Sequence, residues 1–270
     1  MNSPDFLSVA GEAAREAGAL LLQYLDKNVD VEYKSAFNIV TAADRAVEDL
    51  VVGKIRSHFP SHSIVAEEGS NLDQGSEYVW HIDPLDGTTN FAHSNPTFCC
   101  SIGLEKNGEG IVGVVYDPNR DEFFSAEAGS GAYLNNKRLK ASSIDRLENG
   151  LFATGFPPTN RLDNPNVHFF HHFSVMTHGC RRTGSAAIDI CSVAAGRLEG
   201  FWEIGLRSWD VSGGAVVLNE AGGRVTDMDG GRYDSGDQHV LCTNGLVHDQ
   251  MIEFFAKIRS GDVSLAIPEL

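Results

Sequence analysis

Trp80-His81-Ile82-Asp83-Pro84-Leu85-Asp86-Gly87-Thr88-Thr89-Asn90-Phe91 places two carboxylates, a tight turn and two hydroxyls within one short span. The apolar run Tyr78 to Ile82 predicts a strand, Pro84 and Gly87 are turn formers, and Asp-Gly-Thr-Thr suits a helix start with unpaired N–H groups. Such a start attracts anions. Two aspartates three residues apart, bent around a proline, can reach hard cations from both sides while the Leu85 carbonyl adds a neutral oxygen ligand. The stretch reads as a metal-binding elbow suited to phosphate chemistry.

Upstream, Phe6, Val9, Ala10, Ala13, Ala17, Leu20, Leu21 and Tyr24 recur at spacings of three and four after Ser3-Pro4, which predicts an amphipathic helix of about six turns. Val29 to Tyr33 reads as a strand. Thr41-Ala42-Ala43-Asp44 resembles a capping box opening a second helix through Val47, Leu50, Val51 and Ile55 to Phe59-Pro60, so Asp44 reads first as a helix-capping residue. A short strand, Ser63 to Ala66, ends in the paired acids Glu67-Glu68. Adjacent side chains of an extended segment point opposite ways, so at most one of the pair faces a site shared with Asp83 and the other is expected in solvent.

Downstream, Phe98 to Leu104, Ile111 to Tyr116, Glu122 to Ala126 and Gly131 to Leu134 predict an antiparallel meander, with a turn at Asn135-Asn136. A strand at Leu151 to Thr154 precedes Gly155-Phe156-Pro157-Pro158, the one pronounced breaker and a candidate subdomain border near 155–160 within a single 1–270 domain. His168, His171, His172 and His178 cluster without a carboxylate or cysteine at ligand spacing, which favours a surface helix or subunit contact over a metal site. Arg182-Thr183-Gly184-Ser185-Ala186-Ala187 is a small-residue helix start able to approach a ligand through its backbone. Gly200 to Ile204 is a strand containing one acid, Glu203, and Trp209-Asp210-Val211 opens a helix closed by Ala221-Gly222-Gly223. Short strands and a last helix around Met251 to Ile258 complete the chain.

Composition bounds the chemistry. Of 270 residues, 42% are hydrophobic, enough for a sizeable core, and 21 basic against 37 acidic residues leave a net charge of −16. That charge argues against broad contact with nucleic acid or an anionic membrane surface. It also repels phosphate esters, so a site that binds one needs cations to reverse the local field. Five cysteines without CxxC spacing indicate neither a disulfide framework nor zinc, and together with the lack of an apolar leader or span they suggest a cytoplasmic protein.

An acid stands at a strand end or helix start at Glu67, Asp83/Asp86 and Asp210. Convergence of these four carboxylates binds two divalent ions with Asp83 as bridge, and Mg2+ suits such a site because it takes carboxylates and phosphate while keeping waters. Thr88, with Asp44 behind it, is placed to orient the attacking water.

The stretch Trp80 to Phe91 closely resembles the first signature of the inositol monophosphatase family, and Trp209-Asp210-Val211-Ser212-Gly213-Gly214-Ala215 its second. Glu67-Glu68-Gly69, Thr41-Ala42-Ala43-Asp44 and Gly184-Ser185-Ala186-Ala187 match its other blocks in the same order. The resemblance implies a layered α/β fold in the order αβαβα, of the type shared with fructose-1,6-bisphosphatase, and a homodimer. It implies metal ligands at Glu67, Asp83, the Leu85 carbonyl, Asp86 and Asp210, with Gly87 and Thr88 near the phosphate and Lys34, Asp44 and Glu68 close behind. Substrate hydroxyls would meet Asp86, Glu203, Asp210 and Gly184-Ser185-Ala186, and lithium inhibition is implied too. The activity implied is Mg2+-dependent hydrolysis of a small phosphorylated polyol, inositol 1-phosphate first.

Two residues depart from the family pattern. His81 stands where the family usually has an apolar residue, on the same strand face as Asp83; it either tunes that carboxylate or is a buried histidine satisfied by a backbone group. Ser185 replaces a common threonine and keeps the hydroxyl. Arg181, Arg182 and Arg207 near the substrate segment leave open a broader sugar-phosphate or nucleotide phosphatase acting on fructose 1,6-bisphosphate, adenosine 3′,5′-bisphosphate or NADP. A regulatory binding protein that retains the acid set is the reading from another class.

Overall fold

Alanines build the first layer. In a computed structural model that describes residues 5–25, 31–33, 39–156, 163–237, 239–263 and 265, helix α1 (Phe6–Leu25) buries Ala10, Ala13, Ala14, Ala17 and Leu21 along one stripe. The short ribbon β1 (Val31–Tyr33) and β2 (Ile39–Thr41) leads into α2 (Ala42–His58), which packs beside α1. Ser3, Pro4, Val29, Lys34, Pro157 and Pro158, named above, lie outside the described residues.

The first sheet has seven strands in chain order: β3 (Ser63–Ala66), β4 (Tyr78–Asp86), β5 (Cys99–Lys106), β6 (Glu109–Asp117), β7 (Glu122–Glu127), β8 (Gly131–Leu134) and β9 (Lys137–Arg138). Only β3 and β4 pair in parallel; the rest form the expected antiparallel meander, with Asn135 and Asn136 both at positive φ in the β8–β9 turn. A five-residue helix, α3 (Thr88–Ala92), follows β4.

The second sheet is mixed. Along it lie β11 (Gly179–Arg181), β10 (Leu151–Thr154), β12 (Gly200–Ile204), β14 (His239–Thr243) and β13 (Arg224–Thr226). The remaining helices are α4 (Asn166–Met176), α5 (Ala186–Ala194), α6 (Ser208–Glu220) and α7 (His248–Ser260). The two sheets part between Arg138 and Leu151, upstream of the breaker at Gly155.

Strand alternation explains why the layers stack as αβαβα. Val114 of β6 faces the α1–α2 layer while its neighbour Val115 faces the interior with Phe124. In the second sheet Phe201 and Val240 meet α5 and α6, whereas Trp202 and Leu241 meet Phe169 and Phe173 of α4 and Met251 and Phe255 of α7. Each such fully buried side chain contributes about 1.5–3 kcal/mol. The helices α5 and α6 are thus shared by both sheets, which brings acids from the two halves together. Among the described residues no helix is long and apolar enough to cross a membrane.

Contact between α6 and the first sheet is unusually close. A Cβ on Gly103 of β5 would stand 2.6 Å from Ser212 Cβ, and one on Gly113 of β6 would stand 2.2 Å from the Gly213 carbonyl oxygen. Small residues on both surfaces therefore let the helix lie flush on the strands.

Candidate active site

The strand β4 runs past its expected end at Ile82 to Asp86, with a register shift between Asp83, opposite Ser101, and Asp86, opposite Cys99. Three steps on β4 match two on β5. In a regular strand Asp83 and Asp86 would point to opposite faces; the extra residue, at a proline that cannot donate to the ladder, turns both toward the same site. Gly87 follows with φ +96, and a Cβ there would lie 2.8 Å from the Thr97 carbonyl oxygen, so only glycine makes this corner.

Four carboxylates gather here. Asp83 is buried, accepts the Leu85 N–H at 3.0 Å, and shares hydrogen bonds with Glu67 and Asp210. Burial first, then the charges of Glu67, Asp86 and Asp210, push its carboxyl well above the ordinary range. Asp210 is half-exposed by surface area yet enclosed by protein at its carboxyl; burial and the Asp86 charge push it to about 7 against the Arg207 N–H bond at 2.7 Å. Asp86 is raised by burial too, opposed by Ser185 Oγ at 2.6 Å, the Ala187 N–H at 2.7 Å and Cys99 Sγ at 3.9 Å. Among the described residues no lysine or arginine lies at ion-pair distance from Asp83, Asp86 or Asp210.

Hard oxygen donors crowded together fit a divalent ion, with Glu67, Asp83, the Leu85 carbonyl, Asp86 and Asp210 available to hold it. The side chains are neighbours without forming a ready chelate: among the described residues no trio of His, Cys, Asp or Glu is close enough to grip an ion as it stands.

Thr88 sits beside this cluster, its Oγ1 3.1 Å from both Asp44 Oδ1 and the Leu85 carbonyl oxygen. The capping box is present as expected, since Asp44 Oδ2 accepts the Thr41 N–H at 2.7 Å and the Thr41 hydroxyl at 2.6 Å. Asp44 therefore both caps α2 and reaches the site. On the far side Ser185 caps α5, and Asn90 ties α3 to the Thr183 carbonyl at 2.9 Å. The buried Glu203 is pushed well above the ordinary range by burial and by Asp210, Asp86 and Asp189, with Arg182 opposing. Ser185, Ala186 and Glu203 thus reach the acids from the second half of the chain, with Gly184 beside Asn90 and Gly87 at the corner after Asp86.

Three expectations change. Glu68 is half-buried instead of solvated, because Glu48 Oε2 accepts its N–H at 2.7 Å and Glu48 Oε1 that of Ser70 at 2.9 Å. Buried Glu48 pins the turn that presents Glu67; its position four residues after Asp44, on the same face of α2, is the signal that would have found it. His81 is buried with side-chain partners and no backbone one: Nδ1 lies 2.9 Å from Ser208 Oγ and Nε2 3.3 Å from Glu105 Oε2. In the histidine cluster, α4 leaves His168 exposed but buries His172, which bonds the His168 carbonyl at 2.7 Å and accepts the Leu265 N–H at 3.3 Å. Asp189, unremarked in the sequence, is buried behind Thr183 and pushed up to about 8 by that burial.

A sequence model described as "Inositol monophosphatase family" matches residues 3–260. The chain is 42% identical over 255 residues to an inositol-1-monophosphatase of Synechocystis sp., covering 93% of this chain and 88% of that protein. It is 41% identical over 246 residues to the Nus factor SuhB of Pseudomonas aeruginosa, covering 88% and 91%. The solved structure of inositol monophosphatase from Anabaena (Nostoc) sp. superposes with a TM-score of 0.85 at 46% identity, covering 93% of this chain and 95% of that one.

Proposed function

This chain belongs to the inositol monophosphatase family, whose members are phosphoric monoester hydrolases, and we propose from that premise that it hydrolyses a small polyol phosphate, inositol 1-phosphate first, with Mg2+. The observation that carries this reading is the meeting of Glu67, Asp83, Asp86 and Asp210 from the turn after β3, from β4 and from α6. Two or more Mg2+ ions held there supply charge neutralisation for phosphate and acidify water.

The protein's own groups do the remaining work. The Thr88 hydroxyl commits its proton to Asp44 or the Leu85 carbonyl, leaving its lone pairs to accept a hydrogen bond from the attacking water and orient it. Glu67 completes the carboxylate set on the water's side, and the Gly87-Thr88 backbone borders the phosphate. Asp86, held by Ser185 and the Ala187 N–H, keeps its other oxygen for a substrate hydroxyl. Glu203, whose carboxyl burial pushes well above the ordinary range, faces another hydroxyl, and Asp210 and the Gly184-Ser185-Ala186 backbone close the ring site.

The monophosphate is put first on the family likeness, and Arg181, Arg182 and Arg207 keep a bisphosphate as the alternative. Phosphate release from inositol 1-phosphate and fructose 1,6-bisphosphate, each with Mg2+ and with chelator, tests the assignment. Preference for the bisphosphate overturns the substrate, and turnover in chelator overturns the metal. Lithium sensitivity and a homodimer belong to the same reading and are checked by inhibition and sedimentation, while five free thiols support a cytoplasmic location.

Likeness to a protein named a Nus factor supports a second, regulatory role. Complementation of a growth defect by the inactive Asp210→Asn variant would separate that role from catalysis.

A further inference from the structure

Helix α6 carries Asp210 into the site, and its N-terminal half meets β5 and β6 through small residues. Near Asp210 its contact with β5 and β6 is made by Gly103, Gly113, Ser212 and Gly213, while Val211, Val216, Val217 and Leu218 pack in the interior, so the register of the turn that holds Asp210 is open to polar contacts. Polar pins can supply that register, and two stand on either side of Asp210. His81 Nδ1 lies 2.9 Å from Oγ of Ser208, the first residue of α6, and Glu105 Oε1 accepts the Ser212 hydroxyl one turn later at 3.0 Å.

The two pins are joined, since His81 Nε2 lies 3.3 Å from Glu105 Oε2, at ion-pair distance though outside hydrogen-bond alignment. Burial acts to raise the Glu105 carboxyl, but His81, Ser212 and Ser235 outweigh it and hold it below the ordinary range. A carboxylate only accepts, so the imidazole proton belongs on Nε2, leaving Nδ1 to accept the Ser208 hydroxyl proton.

Resting on the metal reading above, we propose that His81, braced by Glu105, is a positioning residue that fixes the axial register of α6 and thereby the placement of Asp210 against Asp83. An apolar residue at position 81 forms neither contact.

The test is calorimetric titration of Mg2+ into the full-length protein after chelator treatment and dialysis. His81→Ile is expected to weaken Mg2+ binding about ten- to hundredfold, the range for loss of a group that orients a metal ligand. Ser208→Ala weakens it several-fold, and the double variant binds no more weakly than His81→Ile alone, because both changes remove one shared bond. His81→Asn, whose amide takes the place of Nδ1, recovers most of the affinity. Unfolding in chelator, followed alongside, separates positioning from simple packing: a stability loss without an affinity change overturns the proposal. Wild-type affinity in His81→Ile, or strictly additive losses in the double variant, also overturns it. If the wild-type protein itself binds no Mg2+, the metal reading falls together with this one.

Discussion

Asp44 and Asp210 are the same local device put to different uses. Each is the third residue of its helix and accepts the backbone N–H of the residue before the helix at 2.7 Å, from Thr41 in one case and Arg207 in the other. At α2 the cap is reciprocal and the carboxylate is filled, with Thr41 giving a second bond to Oδ2 and Thr88 one to Oδ1. At α6 the capping residue is an arginine, which has no acceptor to return, and the aspartate's remaining capacity faces Asp83. Saturation by protein donors, not position in the helix, distinguishes an acid that orients a neighbour from one free to bind an ion.

Activity should break the pair apart most widely. Asp210→Asn loses Mg2+-dependent phosphate release by on the order of a thousandfold, the several kcal/mol expected when a metal-binding charge is removed. Asp44→Asn keeps the carboxylate cluster and lowers kcat by about ten- to hundredfold with KM little changed, because only the orientation of Thr88 suffers. Equal losses in steady-state kinetics would erase the distinction.

Stability should respond with opposite signs. In chelator, Asp210→Asn removes a charge from a repelling cluster and raises the unfolding free energy by about 1 kcal/mol, or roughly 2–4 °C in Tm. Asp44→Asn breaks a filled cap and lowers it by about 1 kcal/mol. Thermal melts of the two variants beside the wild-type protein check both signs.

The pH dependence follows the buried acids as a group, Asp44 included, since burial raises it too. Burial raises Asp210 to about 7 and Asp189 to about 8, far above their unfolded values. A raised acid keeps its proton in the fold where the unfolded chain has lost it, so stability is greatest below the unfolded pKa and falls as pH rises toward the folded one. Urea unfolding in chelator should therefore show a drop of about 1–3 kcal/mol between pH 4 and pH 8, smaller in Asp210→Asn. Added Mg2+ should stabilise the protein more at pH 8 than at pH 6, because the ion competes with those protons. A flat profile would contradict this account of the buried acids.

The smallest expected effect lies at the substrate rim. Ser185→Ala removes the 2.6 Å bond to Asp86 but leaves the Ala187 N–H, so KM for inositol 1-phosphate rises several-fold, about 1 kcal/mol, while Mg2+ affinity changes less.

Much of this was legible in the sequence because it is written in local rules. The capping residues at Thr41, the glycine corner after Asp86 and the period-two apolar strands each report their own neighbourhood, and together they indicate most of the element order, without the short strands Ile39–Thr41, Lys137–Arg138 and Gly179–Arg181, and suggest the five ligands. What local rules could not show were pairings across the fold. Glu48 meets the Glu68 turn only once α2 lies against β3, and His81 meets Ser208 and Glu105 only because glycines let α6 settle on the sheet. The solvated reading of Glu68 failed for that reason, as did the backbone partner expected for His81. The register shift within β4 was foreshadowed by Pro84, but its result, two aspartates three residues apart on one face, needed the partner strand.

Calorimetric titration of Mg2+ into the wild-type protein and Asp210→Asn, with inositol 1-phosphate turnover followed on the same samples, tests the central claim most directly. The account predicts at least two equivalents bound by the wild-type protein, at least one fewer in the variant, and turnover that vanishes with the lost ion. Equal stoichiometry in both proteins, or turnover that survives in Asp210→Asn, would contradict it.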